Sequence, residues 1–72
     1  MKQMADYSLE ELNLAWNETM WEMDNLYEAI EDGTASDSQI RRYEQEYANS
    51  QQRIAELNQE YIRRGIDTPE ND

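Results

Sequence analysis

The 72-residue chain contains no cysteine and no histidine, and these absences exclude several kinds of site. Without thiols it can form neither a disulfide nor a thiolate metal site. Without imidazoles it lacks the commonest metal ligand and the commonest general base of enzymes. Its two glycines cannot make a glycine-rich phosphate loop, and no nucleophile stands beside a base. We therefore expect a protein that is not an enzyme and that holds no cofactor and no metal.

Long apolar runs and basic residues are also scarce. No stretch approaches the roughly 20 apolar residues of a membrane span, and no apolar targeting segment follows Met1, so we expect a cytoplasmic protein without membrane contact. Six basic residues stand against seventeen acids, for a net charge of −11. Such a field repels nucleic acids, so we expect no direct nucleic-acid binding and instead a basic protein surface as partner, including that of a DNA- or RNA-handling protein.

The few glycines coincide with the ends of two predicted helices. Each helix begins with a serine capping box and ends at a glycine, at Ser8 and Gly33 for the first helix and at Ser36 and Gly65 for the second. Before the first box, Tyr7 is placed to pack on Leu12 as a hydrophobic staple. The predicted segments are an N-terminal arm at 1–7, a helical hairpin at 8–65 (helices at about 8–32 and 37–64, turn at 33–36) and a polar C-terminal tail at 66–72. We expect residues 1–6 and 67–72 to be frayed.

The apolar residues of both helices are spaced alternately by three and four positions, as in a coiled coil. Because the turn is short, the helices must be antiparallel neighbours. The predicted hairpin or dimer core comprises Leu12, Trp16, Met23, Leu26, Tyr47, Ile54 and Leu57. One offset sets Trp16 beside Leu57, and an alternative sets Thr19 beside Ser50. We favour the first offset, because bulky and small side chains then alternate.

So short a chain buries only about 60% of its unfolded surface, so that a single core is marginal. With disulfides and thiolate metal sites excluded, self-association is the remaining means of stabilisation. The sequence therefore predicts an all-α hairpin that dimerises into a four-helix bundle.

The two helices differ on their outer faces. The second helix shows glutamines opposite its seam, which is typical of a solvated face. The first helix repeats Tyr7, Leu14 and Trp21 at seven-residue spacing opposite its own seam, and Met20 and Tyr27 widen this apolar surface. One helix cannot turn both stripes towards a single neighbour. The outer stripe is therefore either the second seam of a dimer or an interface for a foreign partner.

Charge is segregated in the same way. Residues 8–32 contain eight acids and no base, whereas residues 37–64 contain five acids and five arginines. We expect Arg41 and Arg42 to relieve part of the repulsion at the end of the first helix. The predicted partner-binding residues are Glu10, Glu11, Leu14, Glu18, Trp21, Asp24, Glu28 and Glu31. The acids have three interpretations: solubility alone, docking on a basic protein, or imitation of a phosphate backbone.

Our leading hypothesis is a small acidic binding protein that occupies a basic, nucleic-acid-binding protein surface and inhibits its owner, in the manner of phage DNA-mimic countermeasures. The alternative is a structural or assembly subunit, whose apolar stripes build a homo-oligomer and whose acids only keep it soluble.

Overall fold

The computed structural model describes residues 2–69 and consists of two α-helices packed against each other as an antiparallel hairpin. A 3₁₀ turn at Met4–Asp6 precedes helix α1 (Leu9–Glu31), and helix α2 spans Asp37–Arg64. No strand occurs between residues 2 and 69. The predicted all-α hairpin is therefore confirmed. Neither helix in this part of the chain has an apolar segment of the length required to cross a membrane.

Both helices begin at the predicted capping boxes. The Glu11 N–H donates to the Ser8 hydroxyl (3.1 Å), and the Glu11 carboxylate accepts from the Ser8 N–H (2.8 Å). Ser36 and Gln39 form the same pair of bonds at 3.3 and 3.0 Å. Each box satisfies backbone donors that the first helical turn leaves without partners, so these two starts follow from local sequence.

Both helices end next to a glycine in the left-handed region, with φ of 78° at Gly33 and 70° at Gly65. At the end of α2 the Ile66 N–H donates to the Tyr61 carbonyl (3.1 Å) and the Gly65 N–H to the Ile62 carbonyl (3.0 Å). These bonds form a Schellman motif. Ile66 packs against the core, which is the apolar contact that this motif favours.

The apolar core lies near the chain termini rather than along the whole seam. Its buried residues are Leu12, Trp16, Leu57 and Tyr61. The rings of Trp16 and Tyr61 meet edge to face, with centroids 5.7 Å apart and planes at 88°. The Tyr61 hydroxyl donates to Oδ1 of Asn13 (2.6 Å), so the polar end of this buried ring has a partner.

Beyond Trp16 the seam becomes polar and then more open. Thr19 and Ser50 are buried near the middle, and the Thr19 hydroxyl donates to the Ala15 carbonyl (2.7 Å). Towards the turn the seam residues are only half-buried: Met23, Leu26, Ile30, Ile40, Tyr43 and Tyr47. The hairpin therefore has one well-packed end and one loosely packed end.

The contacts agree with the favoured offset between the helices. Trp16 and Leu57 share the core, and Tyr61 reaches Asn13. In the alternative offset Tyr61 would lie level with Ser8, about one helical turn away from Asn13.

The N-terminal arm corrects one expectation. Nη2 of Arg64 donates to the carbonyl oxygens of Met4 (3.3 Å), Ala5 (3.2 Å) and Tyr7 (2.7 Å). Met4 and Tyr7 pack against the core. The expectation of a frayed arm is therefore wrong for residues 4–6, because one guanidinium donates to three carbonyls of the arm, and the Met4 carbonyl also accepts from the Tyr7 N–H (3.1 Å). The same expectation for residues 1 and 70–72 lies outside the described residues.

Candidate protein-binding surface

The side of α1 that faces away from α2 exposes two large apolar residues. Trp21 is 68% exposed and Leu14 is 60% exposed. They are seven positions apart in the sequence, so they lie on the same side of the helix about 10.5 Å apart. We call Leu14, Trp21 and the acids that flank them the outer face of α1. A pair of large apolar residues exposed on one helix face favours a binding surface more than solitary exposed residues do, since those are common on any protein.

Tyr7 does not belong to this face, contrary to the predicted Tyr7, Leu14 and Trp21 stripe. The stripe would require helical geometry at Tyr7, but α1 begins only at Leu9, and the backbone at Tyr7 is extended. Its side chain turns inward and packs against the cluster that contains Leu12. This position agrees with the hydrophobic staple predicted for Tyr7.

The flanking acids are exposed and form no ion pairs within the described chain. Glu10, Glu18, Asp24, Glu28 and Glu31 form no ion pair with any residue from 2 to 69. At 100° per residue Glu10, Glu18 and Glu28 lie next to Leu14 and Trp21 and belong to the outer face. Asp24 and Glu31 lie farther round the helix. These carboxylates are available to a positively charged partner, and the charge that they carry is not neutralised within the hairpin.

Glu11 differs from the other predicted partner-binding acids. Its carboxylate accepts from the Ser8 N–H and pairs with Nζ of Lys2 at 2.9 Å. The Ser8 N–H, followed by Lys2, lowers the pKa of this carboxyl below its ordinary value. Because Glu11 already has two local donors, we expect it to contribute less to a foreign partner than Glu10 or Glu18. A partner-binding role for Glu11 remains a prediction.

Trp21 also borders a groove between the helices. The groove has a volume of about 440 Å³, and its walls include Trp21, Glu22 and Leu26 from α1 and Glu46 and Arg53 from α2. A second groove shares Arg53 and continues along α2 to the arm. A partner residue that contacts Trp21 therefore also lies beside this groove, whose walls contain both acidic and basic side chains.

The predicted core residues fall into two groups in the structure. Leu12, Trp16 and Leu57 are buried together, with Ile54 packed against them. Met23, Leu26 and Tyr47 are half-buried nearer the turn and outside that cluster.

Sequence reasoning missed a buried ionic cluster at the end of α2. Glu60 is buried and accepts from Arg63 and from Nε of Arg64 (2.6 Å). Bonds from Arg63 first and Arg64 second lower the pKa of Glu60 to about 2. The spacings of three and four residues were visible in the sequence. They did not show that Glu60 would be buried, because this depends on where α1 and the arm lie.

Within residues 2–69 no three acidic side chains come together as a possible metal site. Comparison with protein families, curated proteins and solved structures found no match to this chain.

Proposed function

We propose that this chain binds a basic, nucleic-acid-binding surface of another protein through the outer face of α1 and thereby inhibits that protein. The observation that carries the proposal is the exposure of Trp21 and Leu14 on a helix face whose acids have no ion partner within the described chain. Tryptophan is enriched among the residues that dominate binding energy, and unpaired acids on the rim of an interface accelerate association with a basic partner.

The spacing of the acids limits how closely they can imitate DNA. Carboxylates one heptad apart are separated by about 10.5 Å along a helix. Duplex DNA carries one charge per roughly 1.7 Å of axis. One α1 helix therefore does not reproduce a duplex. It can occupy part of a groove built for DNA or RNA, and two copies side by side would present charges on a comparable scale, as a phage DNA-mimic countermeasure requires.

Association of two copies into a four-helix bundle is the second candidate function. It is favoured by the thin core, in which four apolar residues of the described chain are buried. Dimerisation would use Leu14 and Trp21 as a second seam and leave the acids as solubilising groups. The two proposals make different demands on the same face, so they can be separated by experiment.

The decisive experiment is affinity capture from the native host at low and moderate salt with four forms of the chain. These are the wild type, Trp21→Ala, the double charge reversal Glu18→Lys/Glu28→Lys, and Gln59→Ala on the exposed polar side of α2 as a control. We expect a stoichiometric DNA- or RNA-handling partner that its own nucleic acid displaces. The wild type and the control should retain it, and the other two should lose it.

Kinetics with the purified partner should then separate two contributions. Trp21→Ala should raise the dissociation rate at every salt concentration, since truncating a buried aromatic anchor commonly costs over 2 kcal/mol. The charge reversals should slow association at low salt and flatten its salt dependence. If Trp21→Ala instead dissociates a dimer, and the charge reversals leave capture unchanged, the inhibitor proposal fails and the assembly subunit replaces it.

A further inference from the structure

A small groove at the turn end of the hairpin combines aromatic walls with an acidic rim. Tyr27, Ile30 and Glu31 contribute from the last turns of α1, and Glu44 and Tyr47 face them from α2. Its volume is about 260 Å³, and it shares no wall residue with the grooves beside Arg53. Drug-sized ligands occupy sites of about 300–1,000 Å³, so this groove suits a single side chain.

Three features of the groove favour a cation. Tyr27 is 56% exposed and lines the groove, so its ring is accessible to a cation. Glu31 and Glu44 are exposed and have no ion pair within residues 2–69. Helix α1 also ends at Glu31 with no basic residue in its last turn, so no cation of α1 itself offsets the negative end of its dipole there.

We propose that this groove binds an arginine side chain of the basic partner. The inference rests on the proposed function, because it names the chemistry that the partner presents. A guanidinium is planar, stacks on an aromatic ring and donates two parallel hydrogen bonds to a carboxylate, whereas a lysine ammonium is a strongly hydrated point charge. The aliphatic stem of arginine would lie against Ile30 and the edge of Tyr47.

The groove adds a second contact to the one centred on Trp21. Tyr27 follows Trp21 by six residues, which corresponds to about 9 Å along α1. By the helical repeat Tyr27 points to a different side of the helix, at the border with α2. A partner would therefore meet an aromatic anchor on the outer face and offer an arginine to the turn end.

The test is a titration of the full chain, followed by nuclear magnetic resonance, with the N-acetyl N-methylamide of arginine. The same derivative of citrulline, its neutral isostere, and that of lysine serve as comparisons. We expect saturable shifts confined to the rings of Tyr27 and Tyr47 and the methyl groups of Ile30. Lysine should bind more weakly and citrulline should give no saturable shift. Equal binding of arginine and citrulline would overturn the proposal, because charge would then play no part.

Matched variants locate the site. Glu31→Gln/Glu44→Gln and Tyr27→Leu should each weaken arginine binding about two- to fivefold, as expected for exposed ion pairs and exposed cation–π contacts. Asp6→Asn/Glu56→Gln removes the same charge from exposed acids outside both the groove and the outer face and should leave binding unchanged. An equal loss in this control would show general attraction to an acidic protein and overturn the site. Helicity of each variant, measured by circular dichroism, verifies folding.

Three further outcomes separate this inference from the alternatives. If the same resonances depend on protein concentration without any probe, a second copy covers the groove and the proposal is overturned. If a captured partner requires Trp21 but the arginine derivative does not bind, the inference fails while the proposed function stands. If the derivative binds at the predicted residues and no foreign partner is recovered, the arginine site stands and the proposed function fails.

Discussion

The two ends of the hairpin differ in how completely they bury their apolar residues. At the terminal end Leu12, Leu57 and Tyr61 are fully shielded from solvent, and the arm covers them. At the turn end, within the described chain, seam residues such as Leu26 and Tyr47 are only half-buried. Burial of apolar surface is the main favourable term in folding, so most of the stability of the hairpin resides at the terminal end.

The ends also differ in how their charges are paired. The terminal end holds the ion pairs of Lys2 with Glu11 and of Glu60 with Arg63 and Arg64. At the turn end the expected relief of α1 by Arg41 and Arg42 does not take the form of an ion pair, since Arg42 pairs with Glu46 inside its own helix (3.4 Å). The terminal end therefore supplies most of the buried contacts and ion pairs of the hairpin, whereas the turn end leaves apolar and acidic side chains exposed to solvent.

The largest expected effect comes from truncating the same residue type at each end. Leu57→Ala should cost about 3 kcal/mol of unfolding free energy, because it leaves a cavity in the buried core. Leu26→Ala should cost about 1 kcal/mol, because Leu26 is half-buried already. Urea unfolding followed by circular dichroism measures both. Equal costs would mean that the turn end is buried in solution, as it would be against a second copy.

A smaller effect is expected from the arginine that holds the arm. Arg64→Met should lower the unfolding free energy by about 1–2 kcal/mol, since it removes the donor to three arm carbonyls. Hydrogen exchange should become faster at residues 4–7 in this variant. Arg42→Met at the turn end is the matched control, and its exposed pair should contribute less than about 0.5 kcal/mol. Unchanged exchange in the arm would contradict the role assigned to Arg64.

Stability measurements at acidic pH test the contribution of the buried Glu60 carboxylate. The pKa of Glu60 is lowered from 4.5 to about 2 in the folded chain. Its stabilisation is therefore fully present above pH 4.5 and is lost as the pH falls towards 2. The difference in thermal stability between the wild type and Glu60→Gln should shrink across that interval. Glu56→Gln, an exposed acid one turn earlier, controls for the loss of one charge. A difference that stays constant would contradict the lowered pKa.

The smallest effect on stability is expected from Trp21→Ala, within about 0.5 kcal/mol, because the side chain is largely exposed in the single chain. This result should be independent of protein concentration. If sedimentation shows a dimer that Trp21→Ala dissociates, and if stability rises with concentration only for the wild type, then mass action couples folding to association. The outer face would then be a seam between copies.

Prediction from sequence succeeded where a feature depends on residues a few positions apart. The capping boxes at Ser8 and Ser36 and the left-handed glycines at 33 and 65 each involve one helical turn of chain. Their geometry hardly varies with the surroundings, so the hairpin and its helix ends could be read directly. The exposure of Leu14 and Trp21 also followed, since the seven-residue repeat places both opposite the seam.

Prediction was incomplete where a contact joins distant segments. The bond from Tyr61 to Asn13 and the bonds from Arg64 to the arm span 48 to 60 residues. Of the two positions predicted for Tyr7, the staple agrees with the structure and the outer stripe is wrong, because helical spacing was extended past the true start of α1. The groove of Tyr27 and Tyr47 likewise arises only when the two helices are set beside each other.

By itself, then, the sequence determined the helices, their ends, the seam and the segregation of charge, because each of these follows from short-range backbone geometry and residue order. Only the tertiary structure decided which half of the seam is buried and that Glu60 and Arg64 form an ionic cluster beneath the arm. Those outcomes depend on the distance between the axes of α1 and α2 at each position along the hairpin. Small and aromatic seam residues are compatible with several such distances, and the packing of all seam residues together determines which one is adopted.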